Sequence, residues 1–193
     1  SRASEEQKSA PKKTFVKAGD KGYFAEIDLV SKSMSKKINN ISSTIGFNAV
    51  LGIDDVKYPL GLNVFYTSGN KNANFGGGVA TTKYNELAFG LQASVLGYIK
   101  KSFQWDITGV LGLSFRNYNY STTNNLTGKL TNTALSFQLK PGFFFRFARK
   151  YFIGMRYGYY QYLGLSEEST GSLAGVTAGS NASSLDFSFK ADF

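Results

Sequence analysis

The feature that most constrains this chain is a strict alternation of apolar and polar residues that recurs in eight segments. In the last segment the apolar set alternates with a wholly polar one, Leu185, Phe187, Phe189, Ala191 and Phe193 against Asp186, Ser188, Lys190 and Asp192. Successive side chains of a β-strand point to opposite faces, so each segment is predicted to be a two-faced strand. The predicted strands cover residues 22–31, 41–52, 57–67, 84–99, 103–118, 133–147, 151–164 and 183–193.

The connections between these strands alternate between short and long. The short ones are residues 53–56, 100–102 and 148–150, and the long ones are residues 32–40, 68–83, 119–132 and 165–182. Short periplasmic turns, long extracellular loops and an even strand count are typical of bacterial outer-membrane barrels. The sequence therefore predicts an all-β fold, an eight-stranded antiparallel transmembrane β-barrel over residues 22–193.

Alternation would also fit a soluble eight-stranded barrel whose apolar face lines a ligand cavity. The sizes of the two faces separate these alternatives. Phe, Trp and Leu dominate the apolar face of the later strands, whereas Gly, Ser, Thr and charged residues dominate the other. The bore of an eight-stranded barrel is just wide enough for side chains to fill it, so the bulky face is predicted to meet lipid.

Composition narrows the remaining possibilities. The chain has 193 residues with no Cys and no His, which excludes a disulfide framework, a thiolate metal site and an imidazole base. It has no apolar run of the length that a membrane-spanning helix needs. Residues 1–21 are charged and poor in large apolar side chains, so they are predicted to be a flexible periplasmic extension.

The polar face of the strands carries charges that we predict to line the lumen. They are Glu26, Asp28, Glu86, Asp106, Asp186 and Asp192 against Arg116, Lys140, Arg146, Arg156 and Lys190. Strand heights predict the pairs Glu86–Arg116 and Asp106–Arg146. Near-balance of charge favours a static polar core over a narrow conducting pore, although both remain open. Pro141 falls within a strand on the lipid face, where we expect a bulge or a local break.

Lysines are concentrated in the first three predicted extracellular loops, and Glu167 and Glu168 lie in the last. The lysines are Lys32, Lys36, Lys37, Lys71, Lys83 and Lys129. A basic rim could attract an anionic glycan or an acidic host protein, or could simply keep exposed loops soluble. Nucleic acid is not expected, because no aromatic and basic groove accompanies the charge.

The terminal strand LDFSFKADF resembles the C-terminal signal of bacterial outer-membrane proteins. Residues 22–193 resemble the class of the OmpA transmembrane domain, OmpX and OmpW in strand count and loop alternation. The resemblance implies a bacterial outer-membrane location, contact with outer-membrane lipid, and recognition of Phe193 by the barrel-assembly machinery. The Lys-, Asn- and Ser-rich loops also resemble those of spirochaete surface barrels.

Three function classes follow. We expect a surface protein whose loops bind a host ligand, with a narrow passage for small or hydrophobic molecules as the alternative that OmpW implies. A purely structural role is the third. Enzymes of this architecture rely on histidine, so we expect none here, although a carboxylate pair of Asp28 and Asp186 remains formally possible. A monomer without a cofactor is expected.

Overall fold

The computed structural model describes residues 22–38, 41–54, 58–75, 78–100 and 102–193, so the predicted extension 1–21 lies outside the described residues. These residues form eight antiparallel strands in one closed barrel. The strands are β1 (Gly22–Ile38), β2 (Ile41–Asp54), β3 (Leu60–Phe75), β4 (Gly78–Lys100), β5 (Phe103–Thr122), β6 (Thr127–Ala148), β7 (Tyr151–Gly171) and β8 (Asn181–Asp192). The described part contains no helix that is long and apolar enough to cross a membrane.

Pairing of the first and last strands closes the barrel. The β1–β8 ladder runs from Phe24 opposite Asp192 to Met34 opposite Ala182. Just beyond it, the amide of Phe193 donates to the carbonyl oxygen of Tyr23 over 2.8 Å. An even strand count brings both ends of the barrel to the side of the short turns, which is the periplasmic side in outer-membrane barrels.

The outer wall is apolar around the middle of the barrel. Leu29, Leu91 and Phe143 are each at least 64% exposed, and the same face of every strand carries similar residues. Polar side chains such as Asp28 and Asn48 point into the lumen and are fully buried. A barrel in water would leave that exterior uncovered, so the predicted membrane orientation is confirmed.

The strands extend much further on the extracellular side than the sequence predicts. Most of residues 32–40, 68–83 and 119–132, predicted to be loops, belong to β1, β3, β4, β5 and β6. The apolar exterior ends at a row of paired residues, Phe47, Tyr66, Leu87 and Phe115. Beyond that row the outer face carries mainly polar residues such as Asn70 and Lys83, so the contrast between the two faces that marks a strand in the sequence is lost there.

Pro141 lies on the exposed face of β6, as predicted, and interrupts one ladder. On the β7 side, Leu139 pairs with Tyr159 and Gly142 pairs with Arg156, and pairing lapses between them. The register is the same before and after the gap, so this is a local break and not a bulge. Proline has no N–H to donate, which accounts for the missing rung.

Candidate functional site

Charged side chains fill the lumen. Ten are buried, five acids and five bases, so their formal charges cancel. They are Glu26, Asp28, Lys32, Glu86, Asp106, Arg116, Lys140, Arg156, Asp186 and Lys190. Lys32 was predicted in an extracellular loop, and that assignment is wrong, because β1 continues past it and turns it inward. Arg146, predicted to be in the lumen, is half-buried at the periplasmic end over the Phe152 ring.

Arg156 is the centre of the lower cluster. Its Nη2 donates to Glu26 Oε2 over 3.0 Å, and its Nε donates to Asp106 Oδ2 over 3.0 Å. Asp28 Oδ1 lies 3.8 Å from Nη1 of the same guanidinium. The predicted pair Asp106–Arg146 is therefore wrong. Asp106 lies opposite Gly142 in the β5–β6 register, and the absence of a side chain there leaves room for Arg156 of β7 to reach it.

A second cluster lies beside the first. Lys140 Nζ is 2.9 Å from Asp186 Oδ2, and Asn48 donates to Asp28 over 2.8 Å. Asp28 and Asp186, the formal candidates for a carboxylate pair, are both 0% exposed and each has a partner in the lumen. The arrangement leaves neither carboxylate open to a substrate.

Lys32 occupies an aromatic cage in the upper lumen. It forms an ion pair with Glu86 across the bore and donates to the Tyr162 hydroxyl over 2.6 Å. The rings of Phe65 and Tyr160 lie 5.5 and 5.3 Å from its ammonium group. Tyr84 and Ser114 also donate to Glu86, so this carboxylate is fully engaged.

Arg116 faces Glu86 in the β4–β5 register but does not pair with it as predicted. Its Nε donates to Asn132 Oδ1 over 3.0 Å, and its Nη1 donates to the carbonyl oxygen of Gly179 over 2.6 Å. Glu86 is taken by Lys32 instead, from a strand on the far side of the bore. Strand register identifies neighbours along the wall and not partners across the lumen.

Residues 172–180, part of the predicted extracellular loop 165–182, fold over the extracellular mouth. Leu173 is 1% exposed within an apolar cluster that also contains Ile38, Ile41, Tyr84, Tyr118 and Leu130. We call residues 172–180 the cap segment. Lys36 Nζ donates to Thr177 of this segment over 2.7 Å. Burial beneath the cap segment raises the pKa of the Tyr118 hydroxyl to about 12, so this hydroxyl stays protonated.

The space left inside the lumen is small. One void of about 10 Å³ lies between Glu26, Arg156 and Lys190, and another of about 10 Å³ lies between Lys32, Arg116 and Tyr162. Each has room for about one water molecule. Around these voids the described lumen is filled with charged side chains that have polar partners and with aromatic rings, under an apolar cap.

The remaining predicted loop lysines are exposed, but they lie on strands. Lys36 and Lys71 belong to the mouth of the barrel, and Lys37 lies near the end of β1. Lys83 and Lys129 project from the outer wall, in a row that pairs Asn70, Lys83, Asn119 and Lys129 across four strands. This row lies four residues further out along each strand than the row at which the apolar exterior ends.

The extracellular part of the wall is an open sheet with two different edges. The β2–β3 ladder stops at Ile45 and Ser68, so residues 69–75 of β3 have no strand partner on that side within the described chain. The β7–β8 ladder stops at Gln161 and Asn181. There the cap segment covers the β7 edge, because the amides of Gly175 and Ala178 donate to Ser169 and Glu167.

Glu167 also accepts from Asn132, so one of the two acids of the predicted last loop belongs to the cap contacts. No cluster of His, Cys, Asp and Glu that could hold a metal ion occurs among the described residues. Phe193, the predicted assembly signal, is 66% exposed at the periplasmic end of the wall. It lies where a protein that reads the last strand could reach it.

Solved structures of other proteins share this architecture. Neisserial surface protein A is 12% identical, with 90% of this chain and 97% of that chain covered and a TM-score of 0.55. A major outer membrane protein from Thermus thermophilus is 10% identical, with 90% and 100% covered and a TM-score of 0.65. No family model matches the chain, and no curated protein does. The shared fold and the apolar exterior make this chain a β-barrel of the bacterial outer membrane.

Proposed function

We propose that this protein binds an extracellular protein partner through the sheet that β3 to β7 extend beyond the membrane. The observation that carries the proposal is the open edge of β3 at residues 69–75. An unpaired strand edge presents N–H and C=O groups that can pair with a strand of another chain. The hairpins hold this edge on paired strands, which suits recognition from a rigid framework.

The height of the sheet supports the proposal. Residues 78–86 of β4 lie beyond Leu87, where the apolar exterior ends. At about 3.4 Å per residue they extend roughly 30 Å along the strand. The outer part of the β3 edge, residues 71–75, is thus carried beyond the head groups, toward the medium.

The positive charge at the mouth of the barrel predicts a partner with an acidic surface. Lys36, Lys37 and Lys71 are all exposed at the extracellular end. Such a basic rim accelerates the encounter with an acidic partner by long-range attraction, and the edge then supplies the main-chain hydrogen bonds.

The filled lumen supports a binding function over a passage for small molecules. Conduction through this barrel would require the Arg156 cluster, the Lys32 cage and the cap segment all to rearrange. The void beside the Arg156 cluster and the void beside the Lys32 cage each have room for about one water. We therefore place the function on the extracellular sheet.

Two proline variants test the open edge and serve as each other's control. In an edge strand, neighbouring residues present their N–H groups alternately to the partner strand and to the open side. Of Asn72→Pro and Ala73→Pro, one removes an edge donor and the other removes a donor to β4. We expect the variant that removes the edge donor to lose binding while its hairpin stays intact. We expect the variant that removes the donor to β4 to loosen the hairpin tip.

The measurement is surface plasmon resonance of the barrel in lipid nanodiscs over immobilised fibronectin, laminin and heparin. Amide exchange of the β3–β4 hairpin identifies which variant has lost the rung to β4. Unchanged binding of both proline variants to every protein ligand would contradict the proposal. Binding to heparin alone would assign the surface to an anionic glycan instead.

A further inference from the structure

A notch opens in the outer wall where β2 and β3 separate. Ile45 and Ser68 form the last paired position of this ladder, and an open groove of about 430 Å³ lies immediately above it on the wall. The groove is lined by Ser43, Thr44, Ile45, Ser68, Gly69, Asn70, Lys83 and Asn85. Gly69 leaves room for Thr44 beside the groove, because a Cβ at position 69 would lie 2.9 Å from Thr44 Cγ2.

Lys83 supplies the charge of the notch. Among the described residues it takes part in none of the salt bridges. Its strand neighbours in the same row are Asn70 and Asn119, which are neutral. A lysine surrounded by amide and hydroxyl groups offers one positive charge and several hydrogen-bond donors to an anion.

The notch lies at the boundary between the apolar and the polar exterior. Ile45, at its lower rim, is 73% exposed, and Phe47 below it is 46% exposed. The hydroxyl of Tyr66 donates to Asn85 over 3.2 Å, so this ring spans the boundary. Tyrosine in that position is typical of the interface between the hydrocarbon and the head groups.

A ligand of this notch must therefore be amphiphilic. Its anionic part meets Lys83, Ser68 and Asn70, and its apolar part lies on Ile45 and Phe47. We propose that the notch binds the phosphate-bearing head group of an outer-leaflet lipid, with an acyl chain against the wall below. The protein would then hold a specific lipid on the β2–β4 side of the barrel.

Lys129 is the matched control for Lys83. Both are exposed lysines in one row of the outer wall, but Lys129 lies two strands away and does not line the notch. We expect Lys83→Gln to weaken binding about fivefold, the effect of one lysine near an anionic membrane surface. Lys129→Gln should change binding less than twofold.

Native mass spectrometry of the full chain in a non-ionic detergent measures the retained lipid. Phosphatidylglycerol is the probe and phosphatidylcholine the comparison, with excess inorganic phosphate as competitor. Ser68→Trp fills the notch without changing charge, and we expect it to abolish the phosphatidylglycerol adduct. Retention of the adduct in Ser68→Trp would overturn the proposal, as would equal losses in Lys83→Gln and Lys129→Gln. Displacement by inorganic phosphate would show a phosphate site and reject the lipid.

Discussion

The lumen and the extracellular sheet are built from similar polar residues, but those of the lumen are buried and those of the sheet are exposed. In the lumen, the buried charges have partners from several strands, as when Arg156 reaches both Glu26 and Asp106. On the extracellular sheet, Lys83 and Asn119 lie beside each other and are exposed. The comparison teaches that the lumen determines stability, whereas the sheet is free to carry recognition. Four predictions test this division.

The largest effect is expected from Arg156→Leu. The substitution leaves Glu26, Asp106 and Asp28 buried without their cation. Removal of one partner of a buried ion pair costs about 3–5 kcal/mol, and here three carboxylates share that partner. Urea unfolding in lipid vesicles, followed by Trp105 fluorescence, measures the loss. Lys83→Leu is the control on the sheet, with a change within about 0.5 kcal/mol. Equal losses of unfolding free energy in the two variants would contradict the division of roles between the lumen and the sheet.

Lys32→Met should cost somewhat less, about 2–3 kcal/mol, because Tyr84, Tyr162 and Ser114 still donate to Glu86. The double variant Lys32→Met with Glu86→Gln should recover most of that loss, since no unpaired charge is left. The same unfolding assay gives the coupling free energy. Additive losses would show that the two side chains do not act as a pair.

Leu173→Ala tests the boundary between the two regions. Leu173 is buried in the apolar cluster of the cap, so we expect a loss of about 2 kcal/mol, at the low end for Leu→Ala. Amide exchange should quicken at residues 172–180. Planar-bilayer recordings should still show no channel steps, because the Lys32 cage beneath the cap is intact. Regular conductance steps in this variant would mean that the cap alone closes the barrel.

The smallest change in stability is expected from the triple variant Lys36→Gln, Lys37→Gln and Lys71→Gln. These side chains are exposed, so the free energy of unfolding should move by less than about 0.5 kcal/mol per site. Association with an acidic partner should slow and lose part of its salt dependence. Stopped-flow or plasmon-resonance association at two salt concentrations measures this. A faster dissociation with unchanged association would place the lysines in the contact itself.

The sequence predicts the membrane part of the barrel well, because lipid outside and polar side chains inside produce a clear alternation. Prediction fails beyond Leu87, where the outer face also meets water and residues 68–83 look like a loop. Lys32 shows the same failure, since Ser31 and Ser33 beside it remove the contrast. The pairing of Glu86 was missed for another reason, because its partner reaches it across the bore from β1. Such contacts depend on barrel closure and not on spacing along the chain.

The break at Pro141 also makes one lipid-facing stretch of the β6–β7 ladder weaker than the rungs on either side of it. A closed barrel distributes a sideways load over its eight ladders, and the load concentrates where hydrogen bonds are missing. The β6–β7 ladder lapses between Leu139 and Gly142, on a stretch whose outer face meets lipid. Since water cannot reach these groups to replace the lost bond, separation of β6 from β7 should begin at this break when the barrel is pulled.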